Sequence, residues 1–192
     1  MNGENQTIYS LIATSTNMYL KQQDNTQVIQ YSTNGLDWTN IDSINWPIKI
    51  STELAILNII LQTNLTLTSN KMYLIIGNNN IKINGNNKKV FVKDVVNYSG
   101  FIQNGTGNIE NGISNNDAKS NININNIGVI SQNSSLDTIG SGWICQRFFG
   151  INTTGCTINN SYSVGKISNN CGGLLGPYSY CNVVNSYCVN TN

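Results

Sequence analysis

The sequence contains no histidine, and its ten lysine and arginine residues nearly balance nine acidic residues. Without histidine, the Ser-His and Cys-His pairs that activate a catalytic nucleophile are excluded. A net charge of +1 and a charged fraction of 10% leave no basic stripe for nucleic acid or for an anionic membrane. Composition therefore argues against a nucleic-acid partner and against hydrolases that use a Ser-His or Cys-His pair.

Long apolar runs are also missing. The longest candidate, Leu54 to Leu61, is far shorter than the roughly 18–20 residues that a membrane-spanning helix needs. Residues 1–6 lack the basic and then apolar pattern of a secretory signal peptide. We therefore expect neither a membrane span nor a signal peptide.

Cysteine is scarce, and all five residues lie in the last quarter of the chain. Their spacing contains no Cys-x-x-Cys pair, which together with the lack of histidine argues against a zinc site. We predict no metal ion and no cofactor, and we expect the cysteines to pack as small apolar residues. Their redox state is left open by the sequence.

Asparagine, in contrast, is abundant, with 36 residues among 192. In stretches such as Asn121–Asn125 it alternates with isoleucine, which predicts a strand with one polar face. Asparagine also tolerates the left-handed backbone region, so it suits tight corners between short strands. The polar stretch from Gln103 to Ser120 predicts a long loop, and residues 51–61 fit either a short helix or a strand.

The last fifty residues nearly repeat themselves. The string from Cys156 to Val164 returns from Cys181 to Val189, which aligns Tyr162 with Tyr187. A repeat of this length predicts stacked copies of about 20–25 residues each, with the two tyrosines in contact. The residues expected to carry this repeat are Cys156, Tyr162, Gly172, Gly173, Gly176, Cys181 and Tyr187.

The first fifty residues have a different pattern. Residues 27–32 form a strand-like run that ends shortly before Asn34-Gly35, and this dipeptide is a strong hairpin signal. The string from Ser32 to Trp38 resembles the Asp-box hairpin of sialidase-type propeller blades, where it is a turn scaffold without a catalytic role. We predict a β-rich cap or docking module at residues 1–50.

The remaining residues, 51–192, resemble two repeat families. The strand, asparagine turn and strand from Tyr73 to Asn86 resemble the rungs of right-handed parallel β-helix proteins. Gly172 to Gly176, followed by the string from Val184 to Asn190, is similar to the GLUG repeat of surface proteins and adhesins. The resemblance implies an all-β fold, a single right-handed parallel β-helix (a solenoid) with the N-terminal cap, and GLUG-like units at 142–192.

The order of these features resembles the asparagine-rich β-helix proteins of mimivirus-like giant viruses. It consists of Tyr31–Gly35, Trp38, Trp46–Ile48 and the repeats at 142–190. The resemblance implies a non-enzymatic structural or attachment protein on the virion surface, assembled in the host cytoplasm. It further implies self-association as a trimer or filament, or contact with other virion proteins.

Two alternatives remain open. A carbohydrate-binding module would use exposed aromatic residues, for which Tyr178 and Tyr180, on either side of Ser179 and just after Pro177, are the candidates for contact with a partner or glycan. A polysaccharide lyase or hydrolase would need clustered acids, and Asp94 with Glu110 or Asp117 is the most suggestive group. The acids are scattered along the sequence, so we predict no catalytic residues.

Overall fold

Alternation of apolar and polar residues produces short strands in the computed structural model, which describes residues 8–24, 26–105 and 117–191. One turn of 3₁₀ helix lies at Ser43–Asn45. The strands are β1 (Tyr9–Ala13), β2 (Asn17–Gln22), β3 (Ile29–Ser32), β4 (Thr39–Ile41), β5 (Ile48–Thr52), β6 (Leu57–Leu61), β7 (Leu65–Leu67), β8 (Leu74–Ile76), β9 (Ile81–Asn84), β10 (Lys89–Lys93), β11 (Ile102–Asn104), β12 (Asn123–Asn125), β13 (Gly128–Gln132), β14 (Thr157–Asn159), β15 (Tyr162–Val164), β16 (Asn182–Val184) and β17 (Tyr187–Val189).

The strands form three sheets. Sheet A has the order β1-β5-β8-β11, and sheet C has the order β17-β15-β13-β10-β7; both are parallel. Sheet B has the order β16-β14-β12-β9-β6-β2-β3-β4 and is mixed, because β3 pairs antiparallel with both β2 and β4. The all-β prediction is therefore confirmed.

The prediction of a single right-handed parallel β-helix is wrong. The described strands are divided among three sheets, the largest sheet is mixed, and none of the three closes on itself. A local reason is the hairpin after β3, which adds two antiparallel strands to the edge of sheet B. The strand periodicity of the sequence indicated strands correctly but carried no information on their division among sheets.

Strand register stacks apolar side chains into interior columns. In sheet B, Ile83 pairs with Ile59 on one side and with Ile124 on the other, and Ile124 pairs in turn with Ile158. All four side chains are fully buried. Since successive strand residues point to opposite faces, the polar residues between them lie on the outer face of the sheet.

Asparagine occupies most corners, as predicted. Eleven of the fourteen non-glycine residues with positive φ among the described residues are asparagines. Asn126 and Asn160 occupy corresponding corners after β12 and β14, and the Asn126 amide N–H donates to the Asn159 carbonyl oxygen at 3.2 Å. The left-handed backbone costs asparagine less than other non-glycine residues, which explains why this residue recurs there.

The predicted hairpin at Asn34-Gly35 is also confirmed. The Asn34 Oδ1 atom accepts hydrogen bonds from the amide nitrogens of Leu36 and Asp37, both at 2.9 Å. The Ser32 Oγ atom accepts one from the Gly35 nitrogen at 2.9 Å. The side chains of Ser32 and Asn34 therefore stabilise the turn.

Residues on the two sides of position 50 share sheets. Strands β1 and β2 pair in parallel with β5 and β6, and β5 itself contains residue 50. Residues 51–61, which fitted a helix or a strand, contribute to β5 and β6. A domain boundary at residue 50 stays a prediction, and most of the predicted loop from Gln103 to Ser120 lies outside the described residues.

Candidate functional site

The two candidate contact residues, Tyr178 and Tyr180, lie on the surface. Their side chains are 71% and 73% exposed. The Tyr178 ring stacks on the ring of Phe148, with a centroid distance of 5.2 Å and an angle of 12°. Both residues of this pair have positive φ, 59° and 62°, which is unusual for aromatic side chains. Backbone strain of this kind often accompanies a functional surface.

A small cavity of about 240 Å³ is lined in part by Arg147, the residue before Phe148. Its lining includes Asp137, Gln146 and Arg147. The Arg147 guanidinium lies 5.7 Å from the centroid of Phe148, and its Nη1 donates to the Ile139 carbonyl oxygen at 3.3 Å. These contacts already use the single arginine of the chain, so the cavity is a weak candidate for an anion site.

Close backbone approach accounts for the repeat glycines. A Cβ atom at Gly172 would overlap the Leu175 carbonyl oxygen, and one at Gly176 would lie 2.5 Å from the Arg147 nitrogen. A Cβ atom at Gly173 would overlap the sulfur of Cys188. Their role in the structure is therefore close packing of neighbouring segments.

The predicted contact between Tyr162 and Tyr187 is confirmed. The residues are Cα partners in β15 and β17, and their rings stack at 5.5 Å with an angle of 11°. Ser161 and Ser186, which precede them, lie 25 residues apart, and Ser186 Oγ accepts a hydrogen bond from the Ser161 nitrogen. The repeat seen in the sequence is thus a register of neighbouring strands.

Burial differs among the cysteines, all of which are free thiols. Cys145 and Cys156 lie in the core, whereas Cys181 is half-buried and Cys188 is exposed. Burial, with a smaller effect of Cys156, raises the pKa of the Cys181 thiol to about 12. Cys156 and Cys181 therefore help to pack the core, as expected, but the expectation is wrong for Cys188, which is exposed.

Cys145 lies two residues before Arg147, a cation of the kind that can lower a thiol pKa. The pKa is not lowered here, because Cys145 is fully buried and burial raises its thiol pKa well above the usual range. The Arg147 guanidinium instead lies over Phe148. A buried protonated thiol is a poor nucleophile, because the thiolate is the reactive form.

The acids proposed for the enzyme alternative have structural partners. Asp94 accepts a hydrogen bond from the Asn133 Nδ2 at 2.8 Å, and Asp117 forms an ion pair with Lys119. Glu110 lies outside the described residues. Among the residues that the structure describes, no three histidine, cysteine or acidic side chains gather as metal ligands would.

A polar groove on sheet B was not predicted as a site. Its central row consists of Asn84, Asn125 and Asn159, which are Cα partners on three neighbouring strands. We call this feature, with the residues beside the row, the asparagine groove; its volume is about 290 Å³. The sequence signal was the outward asparagine at the end of each strand, but recognising the row required the strand register.

The groove is bounded along the strand direction by two further sets of side chains. One set lies two residues before the register position of Asn84 and consists of Asn17 on β2, Asn58 on β6 and Lys82 on β9. The corner residues Asn126 and Asn160 follow the central row, and Ile60 adds an apolar surface. The groove therefore crosses five strands and is lined mainly by amides.

The end of the sheets is a second feature that the sequence did not reveal as a site. Strands β16 and β17 are the terminal strands of sheets B and C, and every residue in them is exposed. Val183, Val184, Tyr187 and Val189 are 43–58% exposed. We call residues 182–189 the open end.

The structure places one helical turn, Ser43–Asn45, in the described part of the chain, and it contains no candidate for a membrane-spanning helix there. Comparisons with protein-family models, with curated proteins and with solved structures found no match to this chain. The features that bear on function are the asparagine groove, the open end and the stacked rings of Phe148 and Tyr178.

Proposed function

We propose that this chain is a non-enzymatic structural or attachment protein that self-associates on a virion surface. The observation that carries the proposal is the open end, where β16 and β17 expose apolar side chains and, among the residues that the structure describes, pair on one side only. No charged residue occurs in the sequence after Lys166. The open end therefore lacks the charges with which soluble proteins commonly protect a strand edge.

A second copy of this chain is the partner that fits the open end best. Backbone N–H and C=O groups on one side of β16 and β17 have no strand partner in the described part of the chain. A strand edge of another copy would satisfy these groups and cover Val184, Tyr187 and Val189. An uncharged edge imposes no electrostatic repulsion on this contact.

The virion-surface part of the proposal is supported by the sequence resemblance to giant-virus proteins at Tyr31–Gly35, Trp38, Trp46–Ile48 and 142–190. A body with columns of stacked, fully buried isoleucines is rigid enough to hold surface loops at defined positions. Display of this kind requires neither a cofactor nor a catalytic centre.

Self-association is tested by measuring molar mass with light scattering over a range of protein concentrations. We expect the mass to rise with concentration for the wild-type chain. The variant Val184→Lys with Val189→Lys should stay monomeric, because two buried charges would oppose strand pairing. The control Ala55→Lys adds a charge at an exposed position between β5 and β6, each of which is paired on both sides, and should associate as the wild type does.

Two outcomes would contradict the proposal. A wild-type chain that stays monomeric at all concentrations would exclude self-association, as would equal association by the lysine variants at the open end. Immunogold labelling of native particles tests the location separately. Label confined to the cell interior or the medium would exclude a virion-surface role.

Carbohydrate binding is the second candidate function, and one observation favours it. The asparagine groove offers amide groups in a regular row on the outer face of sheet B. A protein that attaches to a surface can use such a groove to hold a glycan. No contact of the described acids favours the polysaccharide-cleaving alternative, because Asp94 and Asp117 are engaged by Asn133 and Lys119.

A further inference from the structure

Hydrogen bonding in the asparagine groove leaves several amides available. Asn125 and Asn160 form no side-chain hydrogen bond with any residue that the structure describes. The Asn159 Oδ1 atom is buried and has no hydrogen-bond partner there. A ligand in the groove cannot reach this closed oxygen, so Asn159 can contact it only through its Nδ2 group, which forms no hydrogen bond with the described residues.

Other groove amides are held in place by neighbouring groups. The Asn58 Nδ2 donates to the Asn17 Oδ1 at 3.0 Å, and the Asn84 Oδ1 accepts a hydrogen bond from the Asn86 nitrogen at 2.9 Å. The Asn126 Nδ2 donates to the same Asn84 oxygen at 3.4 Å. Ordered side chains reduce the entropy that ligand binding would cost.

The charge of the groove selects the class of ligand. Lys82 is the single charged residue among those lining it. One exposed lysine is too little for a polyanion, which would require several cations along its length. Amides offer both donors and acceptors, which match the hydroxyl groups of a neutral sugar, while Ile60 offers an apolar contact for a ring face.

The spacing of the groove suits an extended chain. It crosses the five strands β2, β6, β9, β12 and β14. Strands in a sheet lie about 4.8 Å apart, so the groove is about 19 Å long. A pyranose unit is similar in length to one strand spacing, so successive sugar units can meet successive amides of the central row.

We propose that the asparagine groove binds an extended, neutral polysaccharide lying across the strands of sheet B. Asn125 and Asn159 are the residues that contact its hydroxyl groups, and Asn160 contributes at the groove edge. The inference deepens the proposed attachment role and rests on it, since it supplies the chemistry of the surface to which the chain attaches.

Affinity electrophoresis tests the proposal in native gels that contain hydroxyethyl cellulose, galactomannan or dextran as neutral probes. Alginate serves as the polyanionic comparison. We expect at least one neutral probe to retard the wild-type chain, and alginate to retard it less. The double variant Asn125→Ala with Asn159→Ala should bind that probe about 10-fold more weakly, because it loses about two uncharged hydrogen bonds.

The double variant Asn70→Ala with Asn169→Ala is the matched control. Both residues are exposed and lie outside the groove lining, and neither side chain forms a hydrogen bond within the described residues. We expect this control to bind as the wild type does. Thermal melting of both double variants verifies that the fold is retained, and Asn125→Trp, which blocks the groove, should also abolish retardation.

Lack of retardation by all three neutral probes would overturn the proposal, as would stronger binding to alginate or an equal loss of binding in the control. These outcomes are separate from those of the self-association test. A chain that associates and labels particles but binds no neutral probe would refute the groove and leave the structural role intact. A chain that binds the probe but stays monomeric and off the particle would refute the attachment role.

Discussion

Asparagine has two roles in this protein, and they depend on position. At corners such as Asn126 and Asn160 it adopts the left-handed backbone that most residues avoid. On the outer face of sheet B, Asn125 presents its side-chain amide and Asn159 its Nδ2 group to solvent or a ligand. The composition predicted the first role, because backbone preference is a property of the residue itself. The second role depends on strand register.

Thiol burial gives the protein a sensitivity to alkaline pH. The Cys181 thiol has a pKa of about 12 in the folded chain, whereas an unfolded cysteine has a pKa of about 8.5. Between these values the folded state binds more protons than the unfolded state, so stability is complete below about pH 8.5 and falls as pH rises toward 12.

We therefore expect the melting temperature under reducing conditions to fall between pH 8 and pH 10.5, and to fall less in Cys181→Ala. Circular dichroism at several pH values measures this dependence. Cys188→Ala removes an exposed thiol and is the control. An identical pH dependence in the wild type and in Cys181→Ala would show that burial of Cys181 does not contribute.

At the scale of the elements, interior columns carry the stability of the sheets. Ile124 lies between Ile83 and Ile158 in such a column and is fully buried. Val183 is the next residue of the same column, but it lies at the open end and is 43% exposed. The same kind of truncation should therefore have different costs at the two positions.

Ile124→Ala should lower the free energy of unfolding by about 2–5 kcal/mol, because it leaves a cavity between two packed side chains. Val183→Ala should cost less than about 1 kcal/mol, because its side chain is already partly in water. Urea unfolding of both variants measures the difference. The comparison is made at a concentration at which the chain is monomeric, and similar costs there would contradict the exposed position of Val183.

At the scale of the whole molecule, the sheets have a protected middle and an exposed end. Strands β9 and β12 are paired on both sides, whereas β16 and β17 are paired on one side. Backbone amides in the terminal strands should therefore open with a smaller free energy than those in the middle.

Hydrogen exchange measured by mass spectrometry should show the fastest strand exchange in residues 182–189 and the slowest in residues 81–84 and 123–125. At low concentration the difference should be largest. If the chain self-associates through the open end, exchange at 182–189 should slow as concentration rises. Slow exchange at 182–189 in a monomer would contradict the unpaired edge that the structure shows.

The sequence by itself determined the local features. Alternation of isoleucine with asparagine gave short strands, Asn34-Gly35 gave a hairpin, and the repeat aligned Tyr162 with Tyr187. These features depend on residues that are close in sequence or on one regular repeat. They could therefore be recognised without knowing which distant segments meet.

Only the tertiary structure decided how the strands are distributed among three sheets, and this is where the single β-helix prediction failed. The same pairing placed Asn84, Asn125 and Asn159 in one row. The segments that carry these three residues are far apart in the sequence, as their other contacts show: Asn80 and Asn121 are 41 residues apart, and Asn123 and Thr157 are 34 residues apart. The groove and the open end arise from backbone hydrogen bonds between distant segments. Residue pattern does not specify those partners, because many strands in this chain share the same alternation.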